Sequence, residues 1–307
     1  MKTSLLALVL VLVLLTPGAQ AWNFTGHRII AAIAYDRLTP AARSKVDALI
    51  QAHPDYAAMF TAGVTEGQAR AAFLYAATWP DVIRGDMRFY DETRVGFIET
   101  PLLPGFQSMS RHVTWHYYDI PLAREGAKPL LQKPPHALSE LRRMLDNIAT
   151  ESPAEAAYDL PWLEHILGDV HQPLHATSLF TKALPKGDAG GNFVWVQPPG
   201  RPAINLHAFW DNLAGTDGSD AAVNAFASSV VAEYPQPENL NLNPNRWLKE
   251  SFQLDKSDVY AFGARTGTKD QPVPLPAGYE EAAQKIARRR IAMAGYRLAQ
   301  VLNQRFQ

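Results

Sequence analysis

The sequence predicts a mostly α-helical protein folded as a single domain, with one small β-hairpin. Apolar residues recur at helical spacing along most of the chain, and cap and proline signals punctuate them. No internal repeat is present, and no linker or shift in composition divides the chain.

Residues 1–21 are set apart from this fold. Met1-Lys2 is a short positive start, Leu5 to Leu15 is apolar, and Ala19-Gln20-Ala21 has the small-x-small form of a signal-peptidase site. The apolar run is shorter than the roughly 20 residues a membrane-spanning helix needs. The expectation is a secreted or periplasmic protein cleaved after Ala21, leaving one domain over residues 22–307.

From Asn23 to Leu38, Ile29, Ile30, Ile33 and Ala34 mark a helix beginning near His27. Thr39-Pro40 opens a second helix to about Ala52, where His53-Pro54 ends it. Glu66 to Arg84 reads as helix interrupted near Trp79-Pro80-Asp81. Residues 86–135 form a long irregular segment with an extended piece at Arg111–Tyr118. Pro135 to Ala149 is amphipathic, and Pro153 to about His171 is the central helix, with Gly168 and Gln172-Pro173 as its stop signals. A Gly-rich loop at Thr181–Asn192 leads into two strands, Phe193–Gln197 and Ala203–Leu206, around Pro198-Pro199-Gly200. Ala221–Glu233, Arg246–Phe262 and Tyr279–Gln304 are further helices, the last preceded by a loose proline-rich segment.

Composition narrows the chemistry. With 29 Lys and Arg against 30 Asp and Glu, bulk charge does not favour tight binding to nucleic acid. The chain has no cysteine, so a metal site here is built from nitrogen and oxygen donors.

Nine histidines supply candidates. His165 and Asp169 share one helix face at i,i+4, and His175 stands just beyond the helix end. His207 and Asp211 repeat that spacing. Two copies of His-x-x-x-Asp, one extended by a third histidine, point to a divalent metal such as zinc. Asp81 and Arg84 fit a structural ion pair as well as a functional one. In an extended strand, His116 and Tyr118 share one face while Tyr117 and Asp119 share the other. Local sequence reads Trp22 as packing and His27 as a helix cap. Cleavage at Ala21 would instead give Trp22 an α-amine able to chelate a metal with its own carbonyl. His53, His112, His136 and His171 lack matched partners and read as core or surface residues.

Together, Trp22…His27, Trp79-Pro-Asp81-x-x-Arg84, His116-Tyr-Tyr-Asp119, His165-x-x-Gly-Asp169-x-His-Gln-Pro-Leu-His175, Gly190-Gly-Asn192 and Asn205-Leu-His207-x-x-Trp-Asp211 resemble the S1/P1 nuclease family. The motifs occur in the family's order across most of residues 22–307. The missing cysteines depart from eukaryotic members, which carry disulfides, and suggest a bacterial-type relative.

The resemblance implies a phospholipase C/P1 nuclease-like helical fold and three zinc ions. One ion would take Asp81, His116, His165 and Asp169. A second would take His175, His207 and Asp211. The third would take Trp22, His27 and the shared Asp169. Asp119 would orient or deprotonate water, Arg84 would clamp phosphate, and Tyr117 and Asn192 would hold a base, with Asp188 orienting Asn192 or binding base edges. The implied substrates are single-stranded DNA and RNA, cut to 5′-phosphate products, with 3′-nucleotidase activity beside them. No stable protein partner is implied. A zinc-dependent phospholipase C and a non-catalytic zinc-binding protein are the two alternatives.

Overall fold

The computed structural model describes residues 22–129, 131–263 and 266–307. The expected signal peptide at 1–21 therefore lies outside the described residues. Helices dominate, and they pack as one body around the central helix of the sequence.

Helix α1 (Phe24–Tyr35) starts three residues earlier than the apolar pattern indicated, because Asn23 caps it by accepting from the Gly26 N–H. Helix α2 (Pro40–Ala52) has the expected Thr39 cap and a proline at its first turn. Helix α3 (Gln68–Ala76) breaks at Ala77-Thr78, and the short α4 (Trp79–Val82) carries Asp81 before a 3₁₀ turn at Ile83–Gly85. Within 86–135 the extended piece is shifted. Val113–His116 is a 3₁₀ turn rather than strand, and strand β1 begins only at Ile120 and runs to Ala123.

Helix α5 (Ala137–Asn147) is capped by His136, which assigns that histidine a structural task. The central α6 (Pro153–Asp169) opens with a Ser152/Glu155 capping box and is buried for most of its length. After a 3₁₀ turn at Pro173–His175, strand β2 (Thr177–Phe180) pairs in parallel with β1. The expected hairpin is present as β3 (Trp195–Gln197) and β4 (Ile204–Asn205), antiparallel. Helix α7 (Leu206–Asp211) follows directly, then α8 (Asp220–Glu233) and α9 (Pro244–Leu254), the last continuing into a π-helical turn at Asp255–Val259. Strand β5 (Val273–Pro274) joins β3 in parallel, inside the segment read as loose. Helix α10 (Tyr279–Arg305) closes the chain.

The larger core gathers Ile29, Ile33, Trp79, Trp162, Ile166, Trp247 and Tyr296 around α1, α6 and α10. A second core under the hairpin packs Leu174, Leu179, Val196, Trp210 and Tyr260. The site lies where these two cores meet, because residues 165–175 run from one into the other.

Gly168 is not a helix stop. It lies inside α6, where a Cβ would come within 3.0 Å of Nδ1 of His27. A bare backbone there is what lets α1 lie against α6. Gly168→Ala sets roughly 1 kcal/mol of gained helix propensity against roughly 1–3 kcal/mol of overpacking. His27 cannot retreat, being stacked on His165 at 4.0 Å. The expected outcome is a net loss of about 1 kcal/mol in urea denaturation, and a gain would show that His27 has room to move.

Candidate metal centre

Three groups of His and Asp side chains are close enough to hold metal ions: His27, His165 and Asp169; Asp81, His116 and His165; and His175, His207 and Asp211. Every ligand position that the sequence singled out, apart from the backbone of Trp22, is in one of them. His165 belongs to both of the first two groups, and Asp169 lies against histidines of each. Asp169 is wholly buried, with Oδ1 3.2 Å from Nε2 of His27. Its Oδ2 lies 3.3 Å from Nε2 of His165 and 3.4 Å from Nδ1 of His116. Asp81 approaches the same two rings at 3.8 and 3.9 Å.

The i,i+4 spacing explains half of this geometry, and backbone carbonyls fix the rest. Nδ1–H of His165 donates to the Ala77 carbonyl at 2.8 Å, that of His175 to the His116 carbonyl at 2.7 Å, and that of His207 to the Gly190 carbonyl at 2.6 Å. Each bond selects the tautomer that leaves Nε2 with a lone pair aimed inward. Gly190 can deliver its carbonyl because it adopts φ +60°, and a Cβ there would strike the Leu174 carbonyl oxygen at 2.5 Å.

These lone pairs face one another. Nε2 of His175 and Nε2 of His207 are 3.0 Å apart, although both rings have donated their proton at Nδ1. Both oxygens of Asp169, both nitrogens of His27 and Oδ1 of Asp81 are buried without a hydrogen bond. Unsatisfied acceptors at this density are costly, and a cation is the partner that their chemistry fits.

Electrostatics agree. Burial pushes the carboxyls of Asp169 and Asp211 well above the usual range, aided at Asp169 by Asp81 and Asp211 and at Asp211 by Asp81. Burial likewise pushes His27, His116 and His175 well below the ordinary imidazole value, with neighbouring histidines adding to it. Neutral imidazole is the form that ligates.

The clusters open on a cavity of about 140 Å³ lined by His116, His175 and His207 together with Arg84, Tyr117, Asp119 and Asn192. Tyr117 and Asp119 share this face as alternation expected, but His116 reaches it through its 3₁₀ turn. Tyr118 turns aside and stacks on His136 at 4.1 Å. Arg84 lies 3.5 Å from Asp81 in an i,i+3 pair. Asn192 donates one amide hydrogen to the Ala189 carbonyl at 2.7 Å, which leaves its other hydrogen and its oxygen for a ligand.

Of the two readings of Asp188, orienting Asn192 or binding base edges, its surroundings fit the first. It is fully buried rather than facing a ligand, and its carboxylate accepts from the Leu179 N–H at 2.8 Å and from the Tyr260 hydroxyl at 2.5 Å. Its task is to anchor the loop that presents Gly190 and Asn192. Tyr260 had no sequence signal, since only tertiary packing brings it to Asp188. Gln172, read only as part of a helix stop, donates to Oδ1 of Asp211 at 2.7 Å and so orients a candidate ligand.

Trp22 is completely buried, and the next residue, Asn23, donates its backbone N–H to the Asp211 carbonyl at 3.4 Å. The start of the domain is thus tied to the third cluster. A larger cleft of about 760 Å³, between the hairpin, α8 and α10, contains none of these ligands.

A helical scaffold with three buried His/Asp clusters, two of them sharing His165, defines a class: proteins whose side chains could hold more than one divalent ion at a single site. The chain belongs to the S1/P1 nuclease family, whose model matches residues 22–307. It is 27% identical to Endonuclease 4 of Arabidopsis thaliana over 98% of this chain and 94% of that one. It is 25% identical to Endonuclease 2 of the same plant over 94% and 92%. Nuclease S1 of Aspergillus oryzae is 30% identical over 50% of this chain and 56% of its own. Family membership supports a nuclease activity, and among the described residues no helix is long and apolar enough to cross a membrane.

Burial, with the charge of Asp188 adding to it, raises the Asp119 carboxyl to about 6. Its charge is present above that pH and lost below it. Carbon-13 NMR of the metal-free protein should show Asp119 titrating near 6, and a lower midpoint once divalent ions are added, since nearby cations favour the carboxylate. An unchanged midpoint would place Asp119 outside their field.

Proposed function

We propose that the protein is an exported, zinc-dependent endonuclease that hydrolyses single-stranded DNA and RNA to 5′-phosphate products and also removes 3′-phosphates from nucleotides. The observation that carries this reading is Asp169, whose two oxygens face different histidines beside a cavity furnished with Arg84, Tyr117, Asp119 and Asn192. Three zinc ions would be held by Asp81, His116, His165 and Asp169; by His175, His207 and Asp211; and by His27, Asp169 and the amine and carbonyl of Trp22 after cleavage at Ala21. The all-nitrogen-and-oxygen donor set suits zinc. Bound zinc supplies Lewis acidity, neutralising phosphate charge and lowering the pKa of water from 15.7 toward about 7.

The protein's own side chains supply the remainder. Asp119, as carboxylate, accepts the proton of the attacking water. That water adds to phosphorus as the bond to the 3′-oxygen breaks; the 3′-oxygen leaves as an alkoxide that takes a proton from solvent, and the phosphate stays on the 5′ side. The Arg84 guanidinium faces the non-bridging oxygens and offsets the charge that builds on them. The Tyr117 ring offers a stacking surface, and the free amide groups of Asn192 bind polar substrate edges. A base can lie on Tyr117 only when it has left its own stack, so single strands are favoured over duplex.

Replacing Asp169 by Asn tests the centre. Zinc content by elemental analysis should fall, and the nuclease rate with it, on a single-stranded 20-mer; full rate with a full zinc complement would sink the reading. If the wild-type protein turns over phosphatidylcholine faster than the 20-mer, its activity belongs to the phospholipase C class instead. Tyr117→Ala is expected to raise KM for single strands about tenfold, in line with a stacking contribution of roughly 1–3 kcal/mol, while zinc content stays constant.

A further inference from the structure

A second charged site lies between α9 and α10, away from the cavity just described. The groove there has a volume of about 470 Å³ and is lined by Arg246, Lys249, Arg289, Arg290 and Arg297, with Glu250 the one carboxylate among its lining residues. Five cations against one anion stand out in a chain whose formal charge is −1.

The floor of the groove is fixed. Arg290 and Arg297 are 5% and 2% exposed, and both bind Glu250 at 2.8 Å. Arg290 also donates to the His171 carbonyl at 3.0 Å and to Ser251 Oγ at 2.8 Å. Arg297 donates to Nε2 of His171 at 2.8 Å, and its Nε is buried without a partner. One glutamate thus serves two buried guanidiniums and leaves positive charge over. Along the rim, Arg246, Lys249 and Arg289 are exposed and form no ion pair with a carboxylate among the described residues. Burial, with Arg297 and Arg289 adding to it, holds Arg290 down to about 10, as expected where like charges are crowded.

We infer that this groove binds the phosphate backbone of single-stranded nucleic acid outside the reactive cavity. The lining on α10 runs from Ile286 to Arg297, about 16 Å of helix, which is long enough for more than one phosphate. Buried, hydrogen-bonded guanidiniums below and exposed cations above suit successive phosphates better than a single small anion. Contacts of this kind carry no base preference and weaken with salt. The inference rests on the nucleic-acid reading of the metal centre.

The test uses the zinc-loaded protein and the triple variant R246Q/K249Q/R289Q, whose three side chains leave the Glu250 network intact. Anisotropy of a labelled phosphorothioate single-stranded 20-mer reads binding, and cleavage of a dinucleotide reads the reactive centre alone. The expected results are an affinity about tenfold weaker or more, a slope of log K against log salt reduced by about 2, and unchanged dinucleotide turnover. Equal affinity and equal slope in the two proteins would overturn the groove while leaving the nuclease reading in place. Salt-dependent strand binding that the variant loses, in a protein that cleaves no dinucleotide, would support the groove and remove the nuclease reading. Loss of the bound 20-mer to equimolar inorganic phosphate would also overturn the inference, since it would make the groove a site for a single small anion.

Discussion

The centre depends on one buried carboxylate. Asp169 has no solvent exposure and no hydrogen bond, and three imidazoles surround its two oxygens. Isolated in that position, an ionised carboxylate would be strongly destabilised, and its raised pKa registers that pressure. Its neighbours offer no relief, because His165 has already committed its Nδ1 proton to the Ala77 carbonyl. The packing of α1 on α6, the bare backbone at Gly168 and the turn that delivers His116 all converge on holding these groups together. Such an arrangement could hold cations.

What could be seen in the sequence was whatever one stretch of chain contains. His165 with Asp169, and His207 with Asp211, were legible because a helix brings i and i+4 together; the helix of the first pair was expected, whereas α7, which carries the second, was not among the expected helices. The Thr39 cap and the hairpin were legible because turn and cap chemistry is local. Locally, Trp22 and His27 read as a packing residue and a helix cap, and the ordered set of motifs was what favoured a ligand role for them.

The misses have a common cause. β1 is stabilised by Thr177–Phe180, far along the chain, so its boundaries could not be found from residues 111–123 alone. β5 is two residues long and exists because β3 lies beside it. Gly168 looked like punctuation, whereas its meaning is the ring of His27 packed against it from another helix. The sequence left Asp188 open between orienting Asn192 and binding base edges, and its burial against Leu179 and Tyr260 fits the first. In each case the deciding partner is distant in sequence.

The packing of α1 against α6 also bears on how the protein holds together. His27 comes from the first helix of the domain, while His165 and Asp169 come from its middle. An ion gripped by all three binds the folded chain and has no equivalent site in the unfolded one. With such an ion, fold stability would rise with its free concentration, by about 2.7 kcal/mol at a hundredfold excess over its Kd. The centre would then be a clasp as well as a candidate reactive site, tying resistance to unfolding to ion supply.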